Sequence, residues 1–128
     1  MDSLNPASKK ILVVEDNPVA LEGLAVVLGR AGYAVATAIN GREALDYLHR
    51  RPPPDLIVLD MLMPVLDGWH FLAQVRREPW LARVPVVVTT GTILTPEWAN
   101  SQGCAGLLRK PVDEAELLRE VGRCLAVV

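Results

Sequence analysis

The stretch Pro54-Asp55-Leu56-Ile57-Val58-Leu59, followed by Asp60-Met61-Leu62-Met63-Pro64-Val65-Leu66-Asp67-Gly68, passes from an almost unbroken apolar run to a carboxylate, then to proline and an Asp-Gly pair. The run begins just after a proline cluster and is short and continuous, as a strand buried on both faces is. Asp60 closes it at the carboxyl end, the edge at which open α/β sheets place their ligands. Pro64 bars a regular helix directly after Asp60, and Asp67-Gly68 supply the turn and N-cap chemistry for a helix further on.

Three other segments end in the same way. Lys10-Ile11-Leu12-Val13-Val14 runs into Glu15-Asp16, Val84 to Thr90 ends in two hydroxyls, and Gly106-Leu107-Leu108-Arg109 runs into Lys110-Pro111. Laid parallel, the four strands deliver three carboxylates, a hydroxyl and an amine to one edge.

Helical patterns separate the strands. Asn17-Pro18 opens a helix with Leu21, Leu24, Ala25 and Leu28 at helical spacing up to Gly32. Tyr33 to Ala38 alternates as a strand open on one side, and Asn40-Gly41 starts a helix carrying Ala44, Leu45 and Leu48 until Arg51-Pro52-Pro53-Pro54 stops it. Trp69, Leu72 and Val75 give the third helix its apolar stripe before Glu78-Pro79, with Leu81 to Val84 as a link. Thr95-Pro96-Glu97 begins a short fourth helix that ends by Gly103, and Asp113 with Glu116 forms a capping box for Leu117, Leu118, Val121 and Leu125. Five strand–helix repeats predict one α/β domain, a doubly wound sandwich with right-handed crossovers rather than a barrel. Residues 1–8 read as a flexible polar leader and 9–128 as the domain.

Composition narrows the function. The net charge of −2 and the absence of a dense Lys/Arg run disfavour direct nucleic-acid binding. No apolar stretch approaches the roughly 20 residues that span a bilayer. Cys104 and Cys124 lack metal-ligand spacing and no secretory pattern opens the chain, so a cytoplasmic protein with free thiols is expected. His49 and His70 read as surface residues, Trp69 and Trp80 as packing groups, and Trp98 as either core or an exposed anchor.

From Lys10 to Leu125 the chain resembles the receiver domain of two-component response regulators. The acidic pair Glu15-Asp16, the Asp60 loop, Thr90 and Lys110-Pro111 occur in that family's order and approximate spacing. The resemblance implies a flavodoxin-like five-stranded sheet of order 2-1-3-4-5 with helices on both faces. It makes Asp60 the phosphoacceptor, with Mg2+ (or Mn2+) held by Glu15, Asp16, Asp60 and the backbone carbonyl of Leu62. Thr90, Gly91 and Lys110 would contact the phosphoryl group and switch, Lys110-Pro111 would be cis, and Leu62 and Thr92 would flank the path of the hydrolysing water. Thr89 should face the opposite side from Thr90.

The implied phosphoryl donor is a histidine kinase or a histidine phosphotransfer protein. A downstream protein partner is implied on the face made by the fourth helix, fifth strand and fifth helix. The chemistry agrees: phosphoryl transfer needs an oxygen nucleophile and cations to neutralise the equatorial oxygens, and three clustered carboxylates repel one another unless a divalent cation joins them. In two respects the chain departs from the family: Leu107 occupies the position of a switching aromatic, and the segment from Thr90 to Lys110 is short. A metal-dependent hydrolase attacking through Asp60 and a non-switching scaffold are the alternatives. Against the first, no catalytic histidine or Asp-x-Asp pair accompanies Asp60.

Overall fold

The computed structural model describes residues 9–63, 65–91 and 94–126. The expected leader, residues 1–8, lies outside them, as does Thr92. In chain order the elements are β1 (Lys10–Val14), α1 (Pro18–Arg30), β2 (Ala34–Ala38), α2 (Gly41–Arg50), β3 (Leu56–Asp60), α3 (Gly68–Arg77), α4 (Pro79–Ala82), β4 (Val86–Thr90), α5 (Pro96–Ser101), β5 (Gly106–Arg109) and α6 (Glu114–Leu125). The strands are all parallel in the order β2-β1-β3-β4-β5. The chain turns one way from β1 to β2 and the other way from β3 onwards. The crevice between the carboxyl ends of β1 and β3 is therefore the switch point of the fold.

Strand alternation divides the core. Leu12, Val14, Ile57, Leu59, Val86 and Val88 pack on the side of α2 and α3, where Leu48, Phe71 and Val75 meet them. Ile11, Val13, Leu56, Val58, Val87 and Leu108 face Leu21, Leu24 and Leu28 of α1 and Leu117 and Val121 of α6. Every residue of β3 and β4 is buried, which is why neither strand alternates in sequence. β2 is an edge strand and stays half-open, with Ala34 and Thr37 exposed.

Five helix starts carry the caps that the sequence announces. Side-chain oxygens of Asn17, Asn40, Asp67, Thr95 and Asp113 accept from the backbone N–H of Ala20, Glu43, His70, Trp98 and Glu116, at 2.8 to 3.1 Å. The fourth expected helix is short, six residues of α5.

Two expectations need correction. The link before β4 contains a one-turn helix, α4, because Pro79 is set for a first helical position and Leu81 is completely buried beneath it. Trp69 is not part of the buried stripe of α3: it is 42% exposed, while Phe71 is fully buried. At about 100° per residue, Phe71 and Leu72 straddle the centre of the stripe and Trp69 falls at its margin. Its ring meets Trp98 edge-on at 4.9 Å, and Trp80 is also exposed, so neither Trp69 nor Trp80 is a core residue.

Candidate phosphoacceptor site

The backbone brings the predicted residues to the crevice between β1 and β3. Glu15 and Asp60 are almost completely buried, and with the more open Asp16 they place carboxylate oxygens within 4.8 Å of one another. Glu15 leaves β1 with its N–H still bonded to Ala38 O of β2, and its Oε2 accepts from Asn17 N at 3.0 Å. Asp60 Oδ1 accepts from Leu62 N at 3.2 Å, so the loop that follows Asp60 orients its carboxylate.

Lys110 enters from β5. Its N–H donates to Thr90 O at 2.8 Å, and its peptide bond to Pro111 is cis, as the resemblance implied. The ammonium lies 2.9 Å from Glu15 Oε1 and 3.1 Å from Asp60 Oδ2. Lys110 is thus the cation between two buried anions. Burial alone would lower its pKa, but the carboxylates of Glu15 and Asp60 outweigh it and hold the ammonium above its usual range. Asp60 moves against its ordinary preference. Burial first, and then the charge of Glu15, push its carboxyl up to about 6, in spite of the Leu62 N–H and Lys110.

The donor set suits a hard divalent cation. Glu15 Oε1 and Asp60 Oδ2 are buried and have no aligned hydrogen-bond donor, the ammonium being at ion-pair distance from both. Undercoordinated carboxylate oxygens, with no thiol or imidazole in the cluster, favour Mg2+ or Mn2+ over zinc.

The remaining predicted residues are spread around this centre. Thr90 is buried at the carboxyl end of β4. Gly91 is exposed, and a Cβ built on it would meet nothing within 4 Å among the described residues. Leu62 is 59% exposed on the Asp60 loop. Leu107 packs partly buried against the core on the side of α2 and α3. His49 and His70 lie on the surface, paired with Glu78 and Asp67 respectively.

The sequence did not reveal how tightly the Asp60 loop is clasped. A Cβ on Gly68 would lie 2.6 Å from Met61 Cα and 2.9 Å from Asp60 O, and one on Gly41 would lie 2.6 Å from Leu66 O. Asn40-Gly41 and Asp67-Gly68 look like ordinary helix starts, yet their glycines are also where two helices touch the loop backbone. Between them Val65 has φ 72, a left-handed conformation that a β-branched residue adopts only under strain.

A flavodoxin-like sheet with an acidic, cation-ready crevice and a lysine across its switch point defines a class: α/β domains that handle anionic groups at the carboxyl edge. The comparisons narrow it. The family described as "Response regulator receiver domain" matches residues 11–122. Protein PilH of Pseudomonas aeruginosa is 32% identical over 119 residues, 91% of this chain and 98% of that protein. A putative response regulator from Chloroflexus aurantiacus superposes with TM-score 0.85 at 32% identity, covering 93% of this chain and 98% of the other. The receiver domain of the sensor histidine kinase PA1611 from P. aeruginosa, with a magnesium ion coordinated in its active site cleft, does so with TM-score 0.83 at 32% identity, covering 93% and 98%. The chain belongs to the response regulator receiver family, the phosphoacceptor signalling domains of two-component systems. It spans nearly all of PilH but only about half of three further curated relatives, 54%, 54% and 51% of their lengths.

Proposed function

We propose that Asp60 is the phosphoacceptor, that Glu15, Asp16, Asp60 and the Leu62 carbonyl hold Mg2+ (or Mn2+) beside it, and that Thr90 and Lys110 receive the phosphoryl oxygens. The observation that carries this reading is the Asp60 carboxylate itself, buried at the end of β3 within 4.8 Å of two more carboxylates and 3.1 Å from Lys110 Nζ. The cation, when bound, neutralises the clustered charge so that an anionic donor can approach. An Asp60 oxygen attacks phosphorus in line, an O–P bond forms, and the bond from phosphorus to the donor breaks, whether P–N of a phosphohistidine or P–O of an acyl phosphate. Lys110 shifts its charge from the two carboxylates to the new phosphoryl oxygens, and Thr90 donates its hydroxyl to them.

A histidine kinase or histidine phosphotransfer protein supplies the phosphoryl group. The partner-binding face is α5, β5 and α6, and with Leu107 on β5 the switch runs through Thr90 and the loop after it rather than through an aromatic. The chain acts as a signalling domain in the cytoplasm, not as an enzyme with its own substrate, and residues 9–128 form the functional unit. Among the described residues no helix is long and apolar enough to cross a membrane. Incubation with acetyl phosphate and Mg2+, followed by intact mass measurement, tests the reading: one added phosphoryl group supports it, and an unchanged mass rejects it.

Lys110→Ala is expected to lower the stability of the metal-free protein by about 1–3 kcal/mol, because Glu15 and Asp60 then face each other without a cation. Mg2+ restores most of the loss. Thermal unfolding with and without Mg2+ reads this directly, and a pull-down should show that phosphorylation no longer changes partner affinity.

Leu62 governs how long the signal lasts. Its exposed side chain offers no polar atom to orient an attacking water, so the aspartyl phosphate decays slowly and Leu62→Asn speeds the decay by a factor of about 3 or more, roughly 0.6 kcal/mol of barrier. Single-turnover loss of label at matched Mg2+ compares the two. Equal rates would remove Leu62 from the control of water access.

A further inference from the structure

β4 ends in two adjacent threonines, and the site as proposed uses only Thr90. We propose that Thr89 is a second hydroxyl of the site. It is a positioning residue whose O–H donates to the Asp60 carboxyl oxygen that does not carry phosphorus, once the phosphoryl group is in place. This rests on Asp60 being the phosphoacceptor.

Register makes the two residues neighbours. Asp60 of β3 pairs with Thr89 of β4, not with Thr90. Paired residues on parallel strands project to the same face, about 4.8 Å apart, whereas Thr90 lies one residue further towards the carboxyl edge, level with a group carried by Asp60 rather than with its carboxyl. Met61 N donates to Thr89 O at 3.3 Å, tying the start of the Asp60 loop to β4 at this level. Both side chains are buried, Asp60 at 2% and Thr89 at 1% exposure. Each holds an oxygen with no aligned hydrogen-bond partner among the described residues, Asp60 Oδ2 and Thr89 Oγ1.

A buried hydroxyl without a partner is costly. Packing gives no reason for it here: the positions around Thr89 on its face are Val58, Val87 and Leu108, and valine would fill the same space without the orphaned oxygen. The need arises on phosphorylation. Before it, Asp60 Oδ2 has the charge of Lys110 at 3.1 Å. When the ammonium moves to the phosphoryl oxygens, the remaining carboxyl oxygen, still buried, loses that charge, and a cation bound to one of its lone pairs leaves the other without a donor. A rotation of Thr89 about χ1 brings an unused donor beside it into hydrogen-bond reach, and two orphaned groups then satisfy each other.

The experiment compares wild type with Thr89→Val and Thr89→Ser in the full chain, using thermal unfolding without metal and titration with Mg2+ and beryllium fluoride, a tetrahedral phosphoryl mimic. Thr89→Val should unfold at a higher temperature than wild type when metal-free, yet bind the mimic about fivefold more weakly. Thr89→Ser, which keeps the hydroxyl, should bind it within about twofold of wild type. A residue that matters only for packing would not move stability and mimic affinity in opposite directions. Should Thr89→Val fold poorly, Thr89→Ala set against Thr89→Ser poses the same question. Equal mimic affinity with and without the hydroxyl overturns the role of Thr89 and leaves Asp60 standing. Wild-type protein that neither binds the mimic nor accepts phosphate overturns the phosphoacceptor reading and Thr89 with it.

Discussion

Asp60→Asn is expected to abolish phosphoryl incorporation and, in the same molecule, to make the metal-free fold more stable. The first effect is complete because the amide is not a nucleophile towards phosphorus and no other carboxylate in the cluster ends β3; label that survived the substitution, or that persisted in wild type under excess chelator, would refute the assignment. The second follows from the position of the charge. With its pKa raised from 3.8 to about 6, Asp60 binds a proton more tightly folded than unfolded, so ionising it opposes folding. The penalty grows as pH rises from about 4 and is complete above about 6. A rise of that size corresponds to about 3 kcal/mol at most, and the attraction of Lys110 is already contained in it. Thermal unfolding against pH should therefore show the Asn variant ahead of wild type by several degrees at pH 7 and level with it below pH 4. Mg2+ should narrow the gap, since it neutralises the carboxylates that the substitution removes.

Gly68→Ala should be the most damaging single methyl in the chain. The added carbon falls 2.6 Å from Met61 Cα and 2.9 Å from Asp60 O, contacts with backbone that cannot turn aside. Either α3 or the Asp60 loop must move. The expected loss is about 3 kcal/mol, a fall of about 10 °C in the unfolding midpoint, together with slower phosphorylation because the loop carries the proposed phosphoacceptor, Asp60. Gly23→Ala is the matched control. Nothing lies within 4 Å of its Cβ on α1, so the substitution should be neutral or stabilising by about 0.5–1 kcal/mol. If Gly68→Ala unfolded and labelled like Gly23→Ala, the close approach of α3 to the loop would not constrain the site.

Wherever one residue type dictates one local structure, the sequence was sufficient. The unbroken run from Leu56 to Leu59 had to be a doubly covered strand, and the caps at Asn17, Asn40, Asp67, Thr95 and Asp113 form where their side chains can satisfy free N–H groups. The alternation of these elements set the fold class, and the polar residues ending four strands marked one edge of the sheet. The strand order is not inherent in periodicity, because a buried strand reads alike in any interior position; only the resemblance supplied it.

What tertiary structure alone decided is everything that depends on two elements meeting. Trp69 and Phe71 are equally apolar, and only the docking angle of α3 buries one and leaves the other at 42% exposure against Trp98. The glycines at 41 and 68 serve their helices in any fold, but their contact with the Asp60 loop exists only once the helices are packed on it. Lys110 in sequence is a charge after an apolar strand; in space it is the counterion of Glu15 and Asp60, because β5 ends across the sheet from β1 and β3. Thr89 shows the difference most clearly. Alternation gave its face, but its place beside Asp60 is a matter of register between two strands, set by long-range packing that no local stretch of sequence encodes.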